Sequence, residues 1–136
     1  MGTRADFYVG RGAEAEWLGS VAWDGCEWDN ADSDLMKVTT VGGFRAAVAK
    51  IQAQRDDFTA PSEGWPWPWE DSRTTDYAYV LHEGKVTSYC FGREIVGESL
   101  DGPKVDWFPD MSARMNVQWG KKSGVIVVTG SGPGGG

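Results

Sequence analysis

Apolar and polar residues alternate along two parts of this chain and recur with helical spacing in a third. Asp6 to Val9 reads as a short strand, closed by a flexible turn at Gly10 to Gly12. Glu16 to Trp23, EWLGSVAW, alternates so that Trp17, Gly19, Val21 and Trp23 share one side and Glu16, Leu18, Ser20 and Ala22 the other. The turn between them predicts an antiparallel pair. A brief extended piece is expected at Lys37 to Val41. Val41, Phe44, Val48 and Ile51 then recur at spacings of three and four. They predict a helix from about Thr40 to Asp57, capped by Thr39 or Thr40 and stopped before Pro61 and Gly64. Asp76 to His82 and Lys85 to Phe91 form the clearest hairpin, turning at Glu83-Gly84. Tyr77, Tyr79, Leu81, Val86, Ser88 and Cys90 fall on one face of it. Neither face is polar throughout, so the hairpin is expected to be central or covered on both sides. Residues 92 to 122 lack a clear period; Val117 to Trp119 and Ser123 to Thr129 suit late strands.

These elements predict an α+β fold: an antiparallel sheet of four to six strands packed on one main helix. A length of 136 residues suits a single domain. That domain is expected over 1–129, followed by a disordered Gly-rich tail, GSGPGGG, at 130–136. No internal repeat is found.

Between the helix and the hairpin lies Gly64-Trp65-Pro66-Trp67-Pro68-Trp69. Each proline fixes its own φ and holds the preceding tryptophan extended, so a polyproline-like path is expected. A rigid aromatic row can stack on sugars, bases or proline rings. It can equally fold back as a lid over the core, because bare tryptophans would make an adhesive patch. The lid is the stronger expectation, with Trp67 buried and Trp65 or Trp69 partly exposed at its rim. Glu70 and Asp71 follow the row and supply a pair of carboxylates beside it.

Charge changes the picture. The chain carries 13 basic and 20 acidic side chains, a formal charge of −7. That balance opposes direct binding to nucleic acid, and the arginines are scattered without forming a basic stripe. Part of the acidity is concentrated in DGCEWDNADSD, where Glu27, Asp29, Asp32 and Asp34 join Asp24 in a polar loop. Such a loop suits a basic protein surface. It resembles a calcium loop only faintly, since the required glycine and the terminal glutamate are missing from their positions.

The remaining chemistry is sparse. Cys26 and Cys90 form no disulfide framework or zinc set, and both lie within two residues of an aromatic, as small buried thiols do. A two-residue turn would place His82, the single histidine, on the opposite face from Cys90. No phosphate loop or dinucleotide fingerprint is present. No catalytic residue, metal or cofactor is therefore expected. The N-terminal MGTRADFYVGRG has no apolar run of signal-peptide length, and no stretch reaches membrane-spanning length. A cytoplasmic location without membrane attachment is expected. The pattern points to a non-catalytic, acidic protein-binding module for a partner that is basic or itself binds nucleic acid. The alternative is a small hydrolase or carbohydrate-binding domain using the Trp-Pro row.

Overall fold

The computed structural model describes residues 3–111 apart from Ala31, Glu98 and Asp101. The late strands expected near Val117 and Ser123, the domain limit at residue 129 and the 130–136 tail lie outside the described residues. The fold is α+β, with one main helix on a six-stranded sheet. The strands are β1 (Ala5–Val9), β2 (Glu16–Val21), β3 (Phe58–Thr59), β4 (Tyr77–His82), β5 (Lys85–Cys90) and β6 (Arg93–Glu94), and the helix α1 spans Val41–Gln54. The spatial order is β3-β2-β1-β4-β5-β6. No helix among the described residues is long and apolar enough to cross a membrane.

All neighbouring strands are antiparallel except β1 and β4, which run parallel with Ala5 beside Tyr77 and Val9 beside Leu81. The wholly antiparallel sheet expected from pattern is corrected at this one pair. Between β1 and β4 the chain completes β2, crosses in α1, adds β3 and returns through the Trp-Pro segment. A connection of that length lets a strand re-enter parallel, which a hairpin cannot do.

The helix stands where the spacing predicts, but it ends at Gln54, with Arg55 already extended, and not near Asp57. Thr40 is extended at the N-cap and its Oγ1 accepts the Gly43 N–H at 3.0 Å. Phe44, Val48 and Ile51 are buried, while Val41, in the first turn, stays exposed. Their stripe packs on Ala5, Phe7, Val21, Phe58, Tyr79, Leu81 and Val86. The extended piece expected at Lys37 to Val41 is instead preceded by a 3-10 turn at Leu35–Lys37, which sends Leu35 into this same core.

The alternation assigned to β2 breaks in its middle. Phe7 lies opposite Gly19, yet Tyr8 lies opposite Trp17, so Leu18 is an extra residue. The bulge puts Trp17 with Tyr8 on the far face, and Val21 on the helix face. The expected common face of Trp17, Gly19, Val21 and Trp23 is thereby corrected; Trp23 lies beyond the strand and is 59% exposed. Gly19 sits at φ +139°, and a Cβ there would overlap the Phe58 ring.

Both faces of the sheet are covered. Opposite the helix, Tyr8, Trp17, Ala78, Val80 and Tyr89 meet Trp65, Trp67, Phe108 and Met111 from non-regular segments. The hairpin's two apolar faces reflect this double covering, and its register matches the two-residue turn, with His82 opposite Lys85.

Phe44→Ala is expected to cost about 3–5 kcal/mol, since a fully buried ring leaves a cavity beneath the helix. Val41→Ala, at an exposed position, should cost under about 1 kcal/mol. Denaturant melting of both variants checks the assignment of the helix stripe; equal losses would refute it.

Candidate functional site

The Trp-Pro segment is held down by a carboxylate. Asp6 lies between Ala5 and Phe7 on the central strand β1, and so turns away from the helix. It is fully buried. Its Oδ1 accepts the Ser20 hydroxyl at 2.6 Å and the Trp67 indole N–H at 2.7 Å; its Oδ2 accepts the Ser72 hydroxyl at 2.6 Å. Thr75 adds another hydrogen bond. Each hydroxyl relays a further ring: Trp17 Nε1 donates to Ser20 at 3.0 Å and Trp69 Nε1 to Thr75 at 2.9 Å. Because the Ser72 proton goes to Asp6, the Tyr8 hydroxyl donates to Ser72, at 2.7 Å. Burial pushes the Asp6 carboxyl above its ordinary range, and the hydrogen bonds from Ser20, Ser72, Thr75 and Trp67 offset only part of that.

This arrangement decides the fate of the tryptophan row. Trp65 is fully buried, edge-on to Trp17 at 5.2 Å, and Trp67 is 8% exposed. Trp69 is half-buried and stacks on Trp67 at 5.6 Å, with the Arg4 guanidinium 5.5 Å from its ring centre. Residues 64–66 have no regular structure, with Gly64 at φ +90°, and the path bends at 67–70. Three successive rings therefore do not present one continuous face. Asp6 itself was not singled out in the sequence, although an aspartate inside the apolar strand ADFYV is the signal that marks it.

The carboxylates that follow the row separate. Asp71 is tied to Arg73, whose Nε and Nη2 reach it at 3.1 and 2.9 Å and whose backbone N–H reaches it at 2.9 Å. A carboxylate committed to a guanidinium in this way is poorly placed for proton transfer. Glu70 is exposed. Trp69, Glu70 and Asp71 come together on the wall of a cleft of about 740 Å³, facing Phe91, Lys104 and Asp106.

The acidic loop also divides. Asp29 turns inward and accepts the Ser88 hydroxyl at 2.8 Å. Glu27, Asp32 and Asp34 line a shared cleft with Lys50 of the helix. Glu27 is paired with Arg55 at 3.0 Å, while Asp24, Asp32 and Asp34 form no ion pair among the described residues. Arg55 organises the loop: it binds Asp57 at 2.7 Å, donates to the Trp23 carbonyl at 2.6 Å and lies 5.6 Å from the centre of the Trp28 ring. Asp57 accepts the backbone N–H of Ala22 and of Trp23. Burial works to raise its carboxyl, but the hydrogen bonds from Arg55, Trp23 and Ala22 outweigh it and hold the group below its usual range. The backbone of Trp23 is thus clamped at both ends while its ring faces solvent.

The thiols depart from the expected burial. Cys26 is exposed and Cys90 half-buried. Burial pushes the Cys90 thiol up, with Asp76 and Asp29 adding to it, which opposes the thiolate that a nucleophile needs. No group of three metal-ligating side chains occurs among the described residues. No family profile, curated protein or solved structure matches this chain.

Two changes at Asp6 separate the charge from the hydrogen bonds. Asp6→Ala leaves the Ser20, Ser72 and Trp67 donors without their acceptor and should cost about 3 kcal/mol or more. Asp6→Asn keeps an acceptor for Ser20 and Trp67 and can donate to Ser72, whose proton then turns to Tyr8. A carboxyl raised by folding stabilises most below its unfolded pKa, about 3.9, and less as pH rises through the folded value. Relative to wild type, Asp6→Asn should therefore gain stability between pH 4 and 8. Urea melts across that range check the sign; a relative loss would show that the folded protein favours the charged carboxylate.

Proposed function

We propose that this chain is a non-catalytic module that binds a basic protein surface through its acidic loop. The observation that carries the reading is Trp23: a large ring, 59% exposed, on a backbone clamped by Arg55 and Asp57, in a loop where Asp24, Asp32 and Asp34 form no ion pair among the described residues. Tryptophan is among the side chains that dominate binding energy at protein interfaces, and a pre-ordered backbone reduces the entropy lost on association. The acidic residues then steer a basic partner by charge, as the formal charge of −7 does at longer range. A partner whose own basic face binds nucleic acid has the required chemistry. This reading moves the contact from the tryptophan row, most of which is committed to the core, to the loop that begins at Trp23.

The test uses the full chain as bait in lysate from its source cell, beside an Asp32→Lys/Asp34→Lys variant. Basic proteins should be captured by the wild type at about 50 mM salt and largely released at about 500 mM, where charges are screened within a few ångströms. The variant should lose most of that capture and keep its melting temperature, because both aspartates are exposed. Equal capture by bait and variant at low salt would refute the reading.

A further inference from the structure

Phe91 occupies an unfavourable position. With Gly92 it forms the two-residue turn between β5 and β6, where Cys90 pairs with Arg93. Both turn residues have positive φ, +49° at Phe91 and +79° at Gly92, the signature of a type I′ turn. Such a turn favours asparagine, aspartate or glycine first, because a bulky side chain in the left-handed region clashes with its own backbone. Packing does not compensate. The ring is 55% exposed, belongs to neither core cluster and makes no ring contact among the described residues. Glu83 adopts a similar φ in the β4–β5 turn, but its polar side chain faces solvent without exposing an apolar ring.

The turn is also held firmly. Phe91 N–H donates to the Asp76 carbonyl at 3.2 Å, and the Gly92 carbonyl accepts Val105 N–H at 2.9 Å. A Cβ on Gly92 would press on Arg73 at 3.2 Å, so the turn sits tightly against that residue. Strain, exposure and rigid presentation coincide on one wall of the 740 Å³ cleft, whose other lining includes Trp69, Glu70, Arg73, Lys104 and Asp106. Strain of this kind persists where surrounding hydrogen bonds over-determine it, and such positions cluster at ligand sites.

We propose that this cleft binds a neutral saccharide, with Phe91 as its stacking platform. The C–H face of a sugar ring packs on an aromatic ring, and its hydroxyls hydrogen-bond with planar charged groups such as Glu70, Asp106 and the Asp71-oriented Arg73. The wall charges nearly balance: Glu70, Asp71 and Asp106 stand against Arg73 and Lys104. That balance suits an uncharged ligand better than a phosphate or a strongly basic peptide. The cleft volume lies within the range of small-molecule sites. The commitment of Asp71 to Arg73 removes it from acid–base work and gives it the role of orienting the guanidinium. The proposal is independent of the acidic-loop reading and uses none of its residues.

Phe91→Gly separates ligand contact from folding. Glycine relieves the left-handed strain, so the melting temperature should rise, by roughly 2–6 °C. Saturation-transfer NMR with cellotetraose, maltotetraose, mannotetraose and N,N′,N″,N‴-tetraacetylchitotetraose is expected to show transfer from wild type to at least one of them. Phe91→Gly should weaken that binding at least tenfold, while Asp32→Lys/Asp34→Lys should not change it. The proposal is overturned if wild type binds none of the four, if Phe91→Gly binds as well as wild type, or if the substitution lowers the melting temperature. Transfer to an octa-arginine peptide that Phe91→Gly removes and Asp32→Lys/Asp34→Lys leaves intact would assign the cleft to a basic partner and overturn it equally.

Discussion

A single buried carboxylate organises half of this molecule. Asp6 stands at the middle of the sheet and collects donors from a neighbouring strand, from the tryptophan segment and from the residues that follow it. A bare carboxylate in that position would be strongly unfavourable, and its burial alone raises the carboxyl's pKa. The surrounding hydroxyls and indoles make it tolerable, and in doing so they are themselves held in place. Trp17, Trp67, Trp69 and Tyr8 are each one or two hydrogen bonds from the same side chain. The apolar layer opposite the helix is therefore positioned by polar contacts, even though most of its buried side chains are aromatic.

The acidic loop is ordered by a comparable device near the surface. Arg55, just past the helix, links Asp57, Glu27, the Trp23 carbonyl and the Trp28 ring. The pairing is local to one side of the loop and, among the described residues, leaves Asp24, Asp32 and Asp34 without an ion pair. The planar guanidinium fork of Arg55 spreads its donors in fixed directions toward these acceptors, a geometry that the compact ammonium of a lysine does not reproduce. The two polar centres divide the roles: Asp6 fixes the aromatic layer, and Arg55 presents the loop.

Two departures from simple pattern shape the surfaces. The bulge at Leu18 reverses the alternation of β2, delivering Trp17 to the aromatic layer and Val21 to the helix layer. The parallel return of β4 beside β1 leaves the intervening chain to cross both faces of the sheet, the helix on one and the Trp-Pro segment on the other. The clefts lined by Trp69, Glu70 and Asp71 and by Glu27, Asp32 and Asp34 lie where irregular segments meet this framework.

Periodicity by itself determined the elements whose order is local. The stripe Phe44, Val48, Ile51 and the Thr40 cap specify the helix, because i to i+4 neighbours decide it. The Glu83-Gly84 turn sets the register of β4 and β5, because a two-residue loop leaves no choice of pairing. The burial of Trp67 and the rim position of Trp69 followed from the cost of exposing three indoles. Tertiary structure alone decided the rest. Nothing in the order of residues says that Ser20, Trp67 and Ser72 meet on Asp6, since their partners lie 14, 61 and 66 positions away. The bulge at Leu18 cannot be read without its opposing strand, and the pairing of Asp71 leaves Glu70 and Asp71 chemically unequal. The left-handed φ of Phe91 is set by a turn that exists only once β6 and the Val105 backbone hold it. Local spacing encodes local hydrogen bonds; convergence on one buried carboxyl requires the chain to have closed around it.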